Sequence, residues 1–138
     1  KLQVSAAPQA EAGDARQMAA LAAMAEPRFL HQSALADGSG GEARCVDLDG
    51  LAAAHARLPA ARWARSHFHV PIDAAVLGNG LATTAGDSRA GLAAVRAAGC
   101  THIGVETYTW PLLAGDEESR LAGTVHELAA LRSWCDGA

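Results

Sequence analysis

His67-Phe68-His69 sets two imidazoles on one face of an extended segment, about 7 Å apart between α-carbons, because side chains alternate along a strand. Such a pair can share one metal ion, or divide into a ligand and a group that orients substrate. Glu106 brings a carboxylate to the end of a later apolar segment, and ionised carboxylates are seldom buried without a partner. His31 ends an earlier segment with the same inward parity. Imidazoles plus a carboxylate suit manganese, zinc, cobalt or iron better than calcium, which prefers oxygen ligands. The candidate metal set is therefore His31, His69 and Glu106, with Glu106 also the candidate catalytic proton acceptor and His67 a substrate contact. Tyr108 and Trp110 follow Glu106 at once and could stack on, or hydrogen-bond to, a small ligand. Each group also has a plainer reading: a strand-end histidine as a hydrogen-bonded core residue, the two aromatics as a cap on the core beneath their loop. Thr83 and Thr84, in a long loop, could meet an anionic or hydroxylated ligand or serve only as connectors.

The elements that would position these groups follow from apolar spacing and turn chemistry. Strands are expected over Leu2 to Ser5, Arg28 to Gln32, Ser66 to Ile72 and Thr101 to Thr107. Helices are expected from Asp14 to Ala25, Gly50 to Arg57, Ser88 to Gly99 and Glu117 to Trp134, the last with Leu121, Val125, Leu128 and Leu131 on its buried face. Asp37 to Gly41 reads as flexible loop. The order is βαβαβαβα, and His31, His69 and Glu106 recur at nearly equal intervals. That regularity predicts parallel strands joined by right-handed crossovers. Four such units make half of an eight-stranded parallel (β/α) barrel, whose chemistry gathers at the carboxyl ends of the strands. An open doubly wound sheet would share the local pattern.

Composition narrows the partners. A net charge of -4 and an aromatic content of 4% provide neither a basic stripe nor stacking residues for nucleic acid. No apolar stretch approaches the length of a membrane span. Cys45, Cys100 and Cys135 form no Cys-x-x-Cys pair, which points to packed thiols in a reducing cytoplasm. His55, His102 and His126 read as structural. The chain opens at Lys1-Leu2-Gln3-Val4 already inside a strand, so residues 1–138 read as the C-terminal half of one domain, its partner being the missing N-terminal half of the barrel.

Phe29-Leu30-His31-Gln32, Ser66-His67-Phe68-His69-Val70-Pro71-Ile72 and Val105-Glu106-Thr107-Tyr108-Thr109-Trp110 together resemble the last strands of EboE, a metabolite-traffic family with a xylose isomerase-like barrel. The resemblance implies kinship with divalent-metal sugar isomerases and epimerases, and a role in processing or moving a small metabolite precursor. It implies metal ligands at His69 and Glu106, and at His31, where the related enzymes usually carry Asp. Gln3 stands where they usually carry Glu; it could contact substrate but cannot act as a base. The implied function is a metal-dependent isomerase or epimerase, possible hydrolases included, or a non-catalytic metabolite-binding module of the same fold.

Overall fold

The computed structural model describes residues 1–113 and 115–137. The chain divides into two compact units: Lys1–Ala6, His69–Ala75 and Thr83 onward form the first, and Ala7–Phe68 with Val76–Ala82 the second. The division falls inside the His-Phe-His motif, between Phe68 and His69.

The first unit holds β1 (Leu2–Val4), α3 (Ala85–Ala97), β7 (Ile103–Val105), α4 (Trp110–Leu113) and α5 (Glu117–Asp136). β1 and β7 pair in parallel, with Leu2, Gln3 and Val4 opposite Ile103, Gly104 and Val105. The ladder runs one step further, the Glu106 amide donating to the Val4 carbonyl at 2.9 Å. Val4, Ile72, Leu92 and Leu131 form the buried core of this unit. α3 closes at Gly99, whose φ of +91° is open to glycine at little steric cost. On α5, Glu127 and Leu131 are the buried residues, while Leu121, Val125 and Leu128 are 65%, 54% and 49% exposed. The helix thus turns Gly123, Glu127 and Leu131, spaced four apart, toward the unit's interior. Of the apolar stripe expected there, Leu131 is buried as expected, while Leu121, Val125 and Leu128 face outward.

The second unit is built on β2 (Pro8–Glu11), β3 (Ser33–Ala36), β4 (Glu42–Cys45) and β5 (Trp63–Ser66), with α1 (Ala15–Ala22), a 3-10 turn (Leu48–Gly50) and α2 (Leu51–Arg57). β6 (Ala82–Thr83) completes a five-stranded sheet of order β4-β3-β5-β2-β6. The pairs β3/β4, β3/β5 and β2/β5 are antiparallel. Ala10, Leu35, Ala43 and Ala64 on one sheet face pack into a core with Leu21, Leu48, Leu51 and Ala54 from the helical segments. Asp14 caps α1 by accepting from the Arg16 and Gln17 amides.

The chain is therefore not a four-unit half-barrel, and its architecture is not a xylose isomerase-like parallel barrel. Two local causes account for the difference. Arg28 to Gln32 cannot join a ladder: the Glu26 carboxylate takes the Arg28 and Phe29 amides at 2.9 and 2.8 Å, and Asp47 takes the His31 amide at 3.1 Å. The strand begins at Ser33 instead. Asp37 to Gly41 is a tight turn, in which the Asp37 carboxylate accepts from the Ser39 and Gly41 amides at 2.7 and 2.9 Å. Gly38 and Gly40 supply φ values of +80° and +108°, and the chain folds straight back as an antiparallel hairpin. Ser66 to Ile72 likewise proves to be the end of β5 followed by irregular chain, in which Val70 makes only an isolated bridge to Ala6.

Candidate functional site

His69 lies in the first unit on the segment that Val70 anchors, through reciprocal amide–carbonyl bonds with Ala6 at 2.9 and 3.2 Å. Its imidazole reaches the turn after β7, where Nδ1 stands 2.5 Å from the Glu106 carbonyl oxygen. A carbonyl can only accept, so this bond places the proton on Nδ1, and in the neutral ring the basic lone pair then sits on Nε2. The same arrangement orients metal-binding and general-base histidines elsewhere. The Tyr108 ring packs on the imidazole with centroids 4.4 Å apart and planes tilted by 51°. The Thr109 hydroxyl donates to the His69 carbonyl, fixing the backbone as well as the ring. Glu106 is half-buried, and what ties it to His69 is its backbone carbonyl.

A second carboxylate holds the two loops that meet here. Glu127 is wholly buried on α5 and accepts from three donors: the Ile72 amide at 3.1 Å, the Thr107 hydroxyl at 2.6 Å and the Trp110 indole Nε1 at 2.7 Å. Ile72 follows His69 closely, and Thr107 and Trp110 follow Glu106, so one side chain fixes both approaches to the imidazole. The Trp110 indole lies over Gly123, where a Cβ would collide with its six-membered ring. Trp110 is thus an anchor for α4 and α5, while Tyr108 is 38% exposed. Sequence reasoning missed Glu127, Thr107 and Thr109. The available signal was the Gly123, Glu127, Leu131 spacing, a small residue and a carboxylate in line with a core leucine.

The other candidates lie elsewhere. His31 belongs to the second unit, is 1% exposed, and stacks on Phe68 at 5.2 Å. Its Nδ1 faces Asp47 at 3.2 Å and its Nε2 lies 3.5 Å from Glu26, so two carboxylates bracket the ring. Asp47 is held below the usual carboxylate range, first by the Leu48 amide and then by the His31 amide. His67 is exposed in the second unit and lines a hollow of the sheet there. Gln3 is exposed on β1 and lines a shallow hollow with Ser88 and Leu92. Thr83 ties its loop down, its hydroxyl donating to the Ala74 carbonyl at 2.5 Å, and Thr84 stands at the start of α3. The three cysteines are free thiols, and burial pushes that of Cys45 up.

Among the described residues, no group of three or more His, Cys, Asp or Glu is arranged to hold a metal ion. His69 and Glu106 could offer one imidazole and one carboxylate, short of the three or four protein ligands that zinc-type sites use. No helix among the described residues is long and apolar enough to cross a membrane. Compared with family profiles, curated proteins and solved structures, the chain matches none.

Proposed function

We propose that the chain binds a small polar metabolite at His69, Glu106 and Tyr108 and exchanges a proton with it, in the manner of an isomerase or epimerase. The bond from His69 Nδ1 to the Glu106 carbonyl is the observation that carries this reading, because it makes Nε2 the proton acceptor. Nε2 would take the proton from a carbon beside a substrate carbonyl, giving an imidazolium and an enolate. The imidazolium would then deliver that proton, on the same face, to the neighbouring former carbonyl carbon while the adjacent hydroxyl passes its proton to the enolate oxygen, an aldose–ketose isomerisation. Its return to the same carbon gives exchange alone, and an epimerase would need a second acid on the opposite face. Tyr108 offers a ring face to the substrate, and the half-buried Glu106 carboxylate offers an acceptor for its hydroxyls. The resemblance of these motifs to the EboE family supports a small-metabolite substrate. A divalent ion, such as manganese, zinc, cobalt or iron, would polarise the carbonyl; the described residues do not complete a site for it, and no step above depends on one. Three free thiols support a reducing compartment such as the cytoplasm.

The second reading is a module that binds the metabolite without turnover. It is favoured by Gln3, an amide on a separate hollow, where a second proton-accepting carboxylate would be wanted. Incubating the chain with small aldoses and ketoses in D2O separates the two. Deuterium entering the carbon next to the carbonyl, and falling by about 10²-fold or more in His69→Gln, supports proton exchange. Saturable binding that depends on His69, without exchange, selects the module. Neither binding nor exchange across the panel sinks both readings.

A further inference from the structure

The sheet of the second unit has one face on its core and one face outward, and strand register decides what the outward face presents. Arg44 stands opposite Ala34, Ala34 opposite Arg65, and Arg65 opposite Gln9. A methyl group therefore sits between two arginines, each one strand spacing away, about 5 Å. Over Ala34 lies a hollow of about 570 Å³, whose lining includes Arg44, Arg65, Gln32, His67 and Val46. Val46 is 70% exposed and supplies an apolar wall. Arg65 is held in place by its neighbours: its guanidinium carbon lies 4.5 Å from the Trp63 ring centroid, and its Nε donates to Gln9 Oε1 at 2.7 Å. Arg44 is clasped by Glu42 through two bonds of 2.9 and 3.1 Å at the surface. Exposed pairs of this kind are weak, so an anion with two or more charged oxygens can compete for the guanidinium.

We propose that this hollow is a binding site for a small organic anion. Its phosphate or carboxylate oxygens would lie between the Arg44 and Arg65 guanidiniums, and its apolar body against Ala34 and Val46. Charge and shape both favour such a ligand: two planar, permanently charged forks line one cavity, and guanidinium matches both oxyanions in geometry. The volume is that of a site for a molecule carrying one ring. His67, a substrate contact on sequence grounds, is part of this hollow, and the site stands apart from the proton-exchange reading of His69.

The test is a titration of the whole chain with phenyl phosphate, and separately with benzoate, followed by backbone amide and arginine Nε–H resonances. Saturable shifts centred on Ala34, Arg65 and His67 are expected. Arg44→Gln and Arg65→Gln should each weaken binding about ten-fold or more, and Ala34→Leu should do the same by filling the hollow with both charges intact. The side-chain methyl resonances of Leu35 and Ala64, buried on the opposite face, report that each variant keeps its fold. Tighter binding of phenyl phosphate or of benzoate names the anion class. Shifts that grow linearly without saturating overturn the proposal. So does an equal loss in Arg132→Gln, an exposed arginine on α5, or equal binding of uncharged benzyl alcohol.

Discussion

Replacing Glu127 by Gln changes one atom of a wholly buried group that three donors share. Oε1 takes the Ile72 amide and the Thr107 hydroxyl, and Oε2 takes the Trp110 indole N–H. A glutamine that keeps its oxygen on the first two donors must turn its NH2 toward the indole, so two donors meet in a buried place. Leaving one buried donor unsatisfied costs about 1–3 kcal/mol. With a urea slope of about 1–3 kcal/mol per molar for a small domain, the midpoint of unfolding should drop by roughly 1 M. Glu127→Ala removes the acceptor from all three and should cost more than Glu127→Gln, because three buried donors rather than one lose their partner, each at about 1–3 kcal/mol. The assay is urea unfolding read by the indole N–H resonance of Trp110, which reports the first unit alone. The Tyr108 and His69 ring signals should move with it, because Glu127 holds both loops that reach the imidazole. An unchanged midpoint in Glu127→Gln, or an unmoved Trp110 indole signal, would refute the claim that this carboxylate clamps the site.

Other substitutions test single parts of the fold. Gly123→Ala should displace the Trp110 indole and cost about 1–3 kcal/mol by overpacking, seen as a shifted indole resonance and earlier unfolding; an unchanged spectrum would remove the indole from that notch. Gly38→Ala, at a φ of +80°, should destabilise the β3–β4 hairpin by about 1–2 kcal/mol, measured by amide exchange in Ser33–Ala36; equal protection in the variant would contradict the turn. Asp47 has a folded pKa below its unfolded value of about 3.9, so its contribution is present above that pH and fades as pH falls through the folded value. The Trp63 indole N–H resonance during acid titration should therefore show the second unit weakening below about pH 4, with a shallower acid limb in Asp47→Asn; identical acid limbs would exclude Asp47 from that transition.

The legible parts of the fold were those with strong local signals. Asp14 and the Met18, Leu21 spacing marked α1, Pro59 followed α2, Gly99 closed α3, and Leu2 to Ser5 and Thr101 to Thr107 contained β1 and β7. Strand direction was not legible, because parallel and antiparallel strands share the same alternation. The deciding event is the turn at Asp37, where carboxylate and glycines fold the chain back in a few residues. The composition blurs boundaries as well: Ser33-Ala34-Leu35-Ala36 alternates only between small residues and one leucine, while bulkier Phe29-Leu30-His31 drew the strand prediction and instead forms a loop. At the site, His69, Glu106 and Tyr108 were singled out from the sequence and do lie together. The link is a backbone carbonyl, which no pattern of side-chain types can reveal. His31 shared their parity only on the premise of one common sheet; the two-unit architecture places it among Glu26, Asp47 and Phe68 instead.

The direct measurement is the tautomer of His69, from a long-range ¹H–¹⁵N spectrum of the imidazoles in the whole chain near pH 8. The expected result is a protonated Nδ1, donating to the Glu106 carbonyl, and an unprotonated Nε2. Nε2 protonated with Nδ1 bare would break that bond and leave the proposed proton acceptor pointing nowhere useful.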